Sequence, residues 1–121
     1  MKMTNLPEVL RILRKNGWGK YLLYNSVDHY YCLIGALNKA AFANPNHTAL
    51  YDRPGTVPNA RRDFMQLADT IMDCYPERIQ DAREKDGTWG IIQAFNNHYQ
   101  TKFPDVESVV EMSIMVVSEA F

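Results

Sequence analysis

The chain has 121 residues, 46% of them apolar and 22% charged, enough for one hydrophobic core and too apolar for a disordered chain, so a single domain over 1–121 is expected. Its net charge of −1 conceals an asymmetry: residues 1–62 carry nine Lys/Arg against three Asp/Glu, and residues 63–121 carry four against eleven. The first residues lack the apolar run of about 7–15 that marks a secretory signal, and no stretch approaches the roughly 20 apolar residues of a spanning helix; a cytoplasmic protein with no membrane partner is expected.

In chain order, Thr4 or Asn5 caps a first helix that tolerates Pro7 in its opening turn. Leu6, Val9, Leu10 and Leu13 lie at i, i+3, i+4 and i+7. Arg11, Arg14 and Lys15 take the other side and the last turn, where cations oppose the helix dipole, and Gly17 stops the helix. Trp18 to Tyr24 is aromatic and reads as a tight loop or as a short extended segment near 20–24. Trp18 serves there as a structural anchor over a core edge. Asn25-Ser26-Val27-Asp28 is a turn that caps the second helix, with Asp28 favourably placed at its start.

Residues 29–43 organise the chain. Read as a helix, they place Tyr30, Leu33, Ile34, Leu37 and Ala41 on a core stripe. Cys32, Gly35, Ala36, Ala40 and Ala43 form an adjacent face of small side chains that admits a neighbouring backbone. Asn44-Pro45-Asn46-His47 ends the helix. The linker carries Tyr51 and Arg53 and runs to Pro54-Gly55, a type II turn; Thr56 caps a third helix with Pro58 in its first turn. Phe64, Leu67, Ala68, Ile71 and Tyr75 form its inner stripe, while Arg61, Arg62, Gln66, Asp69 and Asp73 face out.

Pro76 ends this helix, and the charged stretch 77–86 is a short surface helix or a loop. A fourth helix, capped by Thr88, is lined by Ile91, Ile92, Phe95 and Tyr99, with Trp89 close by as a structural residue. Asn96-Asn97-His98, three poor helix formers, ends it, Asn96 being placed to orient a neighbouring helix through its amide. Pro104 and Asp105 suit the first turn of a last helix with Val106, Val109, Val110, Ser113, Val117 and Ala120 on one stripe. Met112, Ile114, Met115 and Val116 make that segment apolar nearly all round. Either it is the most buried helix, or its second apolar face meets a partner, a second copy included; strand propensity at 114–117 keeps a short terminal strand open. The fold expectation is an all-α compact bundle of four or five helices around a central helix 29–43.

Cys32 and Cys74 each lie on or beside an apolar stripe, where reduced cysteines pack as small hydrophobes. His29, His47 and His98 fall in three separate segments without ligand spacing, so no metal is expected. Gly17-Trp18-Gly19 is too short for a phosphate loop, and no cofactor is expected. The one nucleophile arrangement available pairs the Cys32 thiol with His98 as base and Asn96 or Asn97 as orienter. Burial among apolar neighbours would silence that thiol.

Gly17-Trp18, Cys32-Leu33-Ile34-Gly35-Ala36-Leu37 and Ala94-Phe95-Asn96-Asn97, with an apolar closing helix after them, resemble a small uncharacterised family found in bacteriophages and actinobacteria. That family's pattern has Asp where this chain has Asn97. The resemblance implies a phage context and no established activity, like the accessory proteins that bind and redirect host machinery, defence systems included, in the host cytoplasm.

Three functions are compatible with these features. The first is binding to a host protein through Tyr51, Arg53, Arg61 and Arg62 and the spare side of the last helix, with Trp18, Gly35, Ala36, Trp89 and Asn96 as structural residues. The second is a nucleic-acid-binding module built on the basic first half. The third is a Cys32-dependent hydrolase or transferase.

Overall fold

Helices form where apolar residues recur near every 3.6 positions. The computed structural model describes residues 4–46, 60–82 and 87–119, and among them the architecture is all-α: α1 (Leu6–Asn16), α2 (Leu33–Phe42), α3 (Ala60–Cys74), α4 (Gly87–Asn97) and α5 (Phe103–Glu119), with a short 3₁₀ turn at Pro76–Arg78. One core joins all five helices, with Leu6, Leu13, Leu33, Ile34, Leu37, Leu67, Ile71, Ile92, Phe95, Val106 and Val109 fully buried. α1 packs on α2 and α5, α3 packs on α4 and α5, and α2 touches α4. The linker residues His47, Tyr51, Arg53 and Thr56 lie outside the described residues.

The central helix is shorter than its periodicity suggests. It begins at Leu33, so His29, Tyr30 and Tyr31 lie outside it and Cys32 is its N-cap, with the thiol accepting from the Gly35 N–H at 3.3 Å. Residues 29–32 are instead drawn out along the preceding loop. The Tyr31 N–H donates to Gly17 O at 3.1 Å, Gly19 N–H to Tyr31 O at 3.0 Å, and Cys32 N–H to Leu23 O at 3.3 Å. Isolated bridges join Tyr31 to Trp18 and to Tyr24, so the extended segment near 20–24 exists only as single pairings, and His29 sits in the left-handed region at φ 64°. These pairings engage the backbone groups that a helical turn would need. Asp28 does not cap α2: the Asn25 side chain holds its own turn by accepting from the Val27 and Asp28 N–H groups. At the other end of the chain, residues 114–117 are helical, continuing α5.

Two backbone approaches depend on absent side chains. A Cβ on Gly35 would fall 1.7 Å from the Leu23 carbonyl oxygen, and one on Gly19 would fall 2.1 Å from the Tyr30 ring. The small face of α2 therefore admits the loop backbone itself, with Ala36 buried beside it.

The start of α1 is held from a distance. Asn5 makes no side-chain cap; Thr4 Oγ1 accepts from the Leu6 N–H, and the wholly buried Asp63 at the start of α3 receives both the Thr4 hydroxyl at 2.6 Å and the Asn5 N–H at 2.8 Å. Burial pushes the Asp63 carboxyl up, against the Thr4 and Asn5 hydrogen bonds and the nearby charge of Arg62. At the other end of the bundle, the Ser113 hydroxyl donates to Thr70 Oγ1 at 2.8 Å, joining α5 to α3 inside the core.

These contacts set two expected outcomes. Gly35→Ala should cost about 3 kcal/mol in urea unfolding, the upper end for overpacking, because backbone must move; Gly19→Ala should cost less than half of that because an aromatic ring can swing aside. For Asp63, the folded state keeps a proton that the unfolded chain loses near the ordinary value of 3.8. Stability should therefore fall as pH rises from 3.8 through the raised folded value, and Asp63→Asn should flatten that slope in pH-dependent melts.

Candidate functional site

The three stretches of sequence that stand out in the chain meet at one buried side chain. Asn96, 2% exposed near the end of α4, uses both ends of its amide. Its Oδ1 accepts from the Trp18 indole N–H at 2.7 Å and from the Leu33 N–H, the first of α2, at 3.0 Å. Its Nδ2 donates to the Gly19 carbonyl at 3.2 Å and to Asn97 Oδ1 at 3.0 Å. An amide has two acceptor and two donor positions, and all four are filled. Asn97 Oδ1 also accepts from the Tyr21 N–H at 2.9 Å, and Lys20 Nζ donates to the His98 carbonyl at 2.6 Å. The loop after α1 is thereby fastened along the end of α4. Tyr21, at φ 74°, holds a conformation that a tyrosine adopts only when its surroundings impose it.

Beside this clamp lies a cleft of about 510 Å³ on the outer face of α4, bordered by Tyr21, Asp81, Trp89, Gln93, Asn97 and His98, with Gly90 and Ala94 as its floor. Helical spacing builds it: Trp89, Gln93 and Asn97 stand at i, i+4 and i+8, and Gly90 and Ala94 at i, i+4 beside them. Trp89 also stacks on Phe64 of α3, with centroids 6.3 Å apart, so the cleft wall rests on the core.

A second surface runs along α3 and α5. Val106, Val109, Val110 and Val117 turn α5 inward, whereas Met112, Met115 and Val116 are exposed, Met115 by 63%. These three line a groove of about 230 Å³ with Gln66, Thr70, Asp73 and Cys74 of α3. Gln66 also borders the neighbouring hollow formed with Arg61, Arg62, Met65 and Asp69. The two hollows therefore share a wall, and the surface from Arg61 and Arg62 to Val116 of α5 is continuous. Tyr51 and Arg53 lie outside the described residues.

The Cys32 thiol and the His98 imidazole each hold a local hydrogen bond of their own. Cys32 is 4% exposed, its sulfur accepts from Gly35 N–H, and burial raises its pKa in spite of the backbone N–H groups that favour the thiolate. His98 Nδ1 accepts from the Gln100 N–H at 3.1 Å, which places the ring proton on Nε2, and the ring stacks on Tyr99 at 4.7 Å. The basic half of the chain is partly neutralised by the acidic half, as Arg14 of α1 bonds Glu107 at 2.8 Å and Glu111 at 2.6 Å on α5; Arg11 pairs within its own half with Glu8. Arg78 lies over the Tyr75 ring and bonds Asp105 at 2.7 Å. Burial pushes the Asp105 carboxyl up, but the Lys102 N–H and Arg78 outweigh it and hold the group below its ordinary value. Among the described residues, no group of three or more His, Cys, Asp or Glu is placed to hold a metal ion, and no helix is long and apolar enough to cross a membrane.

The chain belongs to a family described as "Family of unknown function (DUF6197)", whose model matches residues 4–114 and so takes in the clamp, the cleft and most of α5. No curated protein and no solved structure matches it.

Replacing Asn96 with Ala should cost about 3 kcal/mol, since it leaves a buried indole N–H and the first N–H of α2 without acceptors. Trp18→Phe, which removes one donor and keeps most of the packing, should cost about 1 kcal/mol in the same urea titration.

Proposed function

We propose that the protein is a small accessory protein of phage type that works in the host cytoplasm by binding a host protein, in an inhibitory or anti-defence role. The contact surface is the continuous face from Arg61 and Arg62 across Gln66 to Met112, Met115 and Val116. The observation that carries this reading is the exposure, on two packed helices, of four methionines and a valine: Met65, Met72, Met112, Met115 and Val116. Exposed apolar side chains grouped in this way are characteristic of interaction surfaces, and methionine adapts its shape to a partner at small rotamer cost. The partner that fits is an amphipathic helix laying its apolar side in the α3–α5 groove, with carboxylates toward Arg61 and Arg62. Binding rather than catalysis also agrees with the engagement of Asn96, Cys32 and His98 in internal hydrogen bonds. The phage context rests on the sequence resemblance.

The test is a photo-crosslinking residue placed at Met112 in host cells, with Val27, exposed on the loop between α1 and α2, as control. Position 112 should give a discrete adduct with a host protein, and position 27 should not. Met115→Asp should lower the yield at least about tenfold, because docking would bury an unpaired carboxylate. An adduct of twice the chain's own mass would replace host binding by homodimerisation through α5; no adduct would overturn the reading.

A further inference from the structure

The cleft on the outer face of α4 has a composition that selects its occupant. Gln93 Oε1 is buried and receives no hydrogen bond. A buried acceptor without a donor is costly, and a donor that met it as the Gln93 side chain turned toward the cleft would recover that cost. Among the described residues that border it, Asp81 is an acid and there is no lysine or arginine, the nearby Lys20 ammonium being engaged by the His98 carbonyl. Tyr21, Trp89 and His98 supply aromatic surface around a floor of Gly90 and Ala94 low enough for a flat group to lie against the helix. Tyr21 is 73% exposed yet fixed in its left-handed backbone by Asn97, so this wall stands without a ligand to order it. The volume of about 510 Å³ lies within the usual range of small-ligand sites.

We infer that this cleft binds a guanidinium group, as borne by free arginine or by an arginine of a peptide. The group is flat, cationic and rich in N–H donors. It would give a donor to Gln93 Oε1, pair with Asp81, and set its face against the aromatic border, three demands that an ammonium or a neutral amide meets only in part. The site is separate from the α3–α5 face, so failure of either leaves the other standing.

The test is a titration of the isotope-labelled whole chain, monitored through its side-chain amide resonances. The probes are Nα-acetyl-arginine amide, the corresponding lysine and citrulline amides, the tripeptide Gly-Arg-Gly, and cytidine. The arginine amide should shift the Gln93 and Asn97 amides saturably, and the lysine and citrulline compounds should bind at least about tenfold more weakly. Tighter binding of the tripeptide assigns the site to peptides, and equal binding assigns recognition to the guanidinium side chain alone. Asp81→Asn should weaken binding about tenfold, and Gln93→Glu, which places a carboxylate where the orphaned acceptor lies, should tighten it, a gain that no folding defect can imitate. Ala94→Leu, which fills the floor and leaves every polar group in place, should abolish the shifts. The inference is overturned by equal binding of citrulline or lysine, by tighter binding of cytidine, or by no saturable shift up to about 10 mM, beyond the millimolar end of specific affinity.

Discussion

The architecture depends on one buried amide. Asn96 bonds to the indole of Trp18, the carbonyl of Gly19, the first N–H of α2 and the amide of Asn97. An isolated polar side chain in a core is a cost, but one whose donors and acceptors are all matched allows only the arrangement that matches them. Here that arrangement sets the start of α2 against the end of α4 and draws the aromatic loop between α1 and α2 over both. The left-handed Tyr21, the threading of Leu23 past Gly35 and the cleft wall are all consequences of where this loop is held.

Helix type and inner faces were legible because they are local. The stripes Leu6-Val9-Leu10-Leu13 and Phe64-Leu67-Ala68-Ile71 are buried as their spacing implies. The start of the central helix was not legible, for a physical reason. Tyr30, Leu33 and Ile34 obey helical spacing, yet Tyr31 and Cys32 are engaged by Gly17 and Leu23, and partners some ten residues away leave no trace in a periodicity. The spacing of Trp89, Gln93 and Asn97 was readable as one face of α4, with two small residues beside it. Tyr21 and Asp81, which complete the cleft, come from other segments, and no spacing rule brings them there. Asn96 stood out as an amide at a helix end, but the identity of its partners depends on the tertiary fold.

The opposed charges of the two halves also resolve in three dimensions. Arg14 reaches across to Glu107 and Glu111, so the asymmetry along the chain is partly cancelled between the neighbouring helices α1 and α5. The pairs at Arg14 are exposed and contribute little to stability, and the direction of α5 is set by its buried valines.

The Trp18–Asn96 bond spans 78 residues, and the Leu33–Asn96 bond spans 63. While the chain emerges from a ribosome, α1 can coil at once, but the loop after it has nothing to rest on until α4 has been synthesised and has docked. Contacts so distant along the chain are made late, because a long segment must be closed before they form. The stretch from Trp18 to Cys32 therefore spends the early life of the molecule unsheltered, with its aromatic residues and its thiol open to chaperones, oxidants and neighbouring chains.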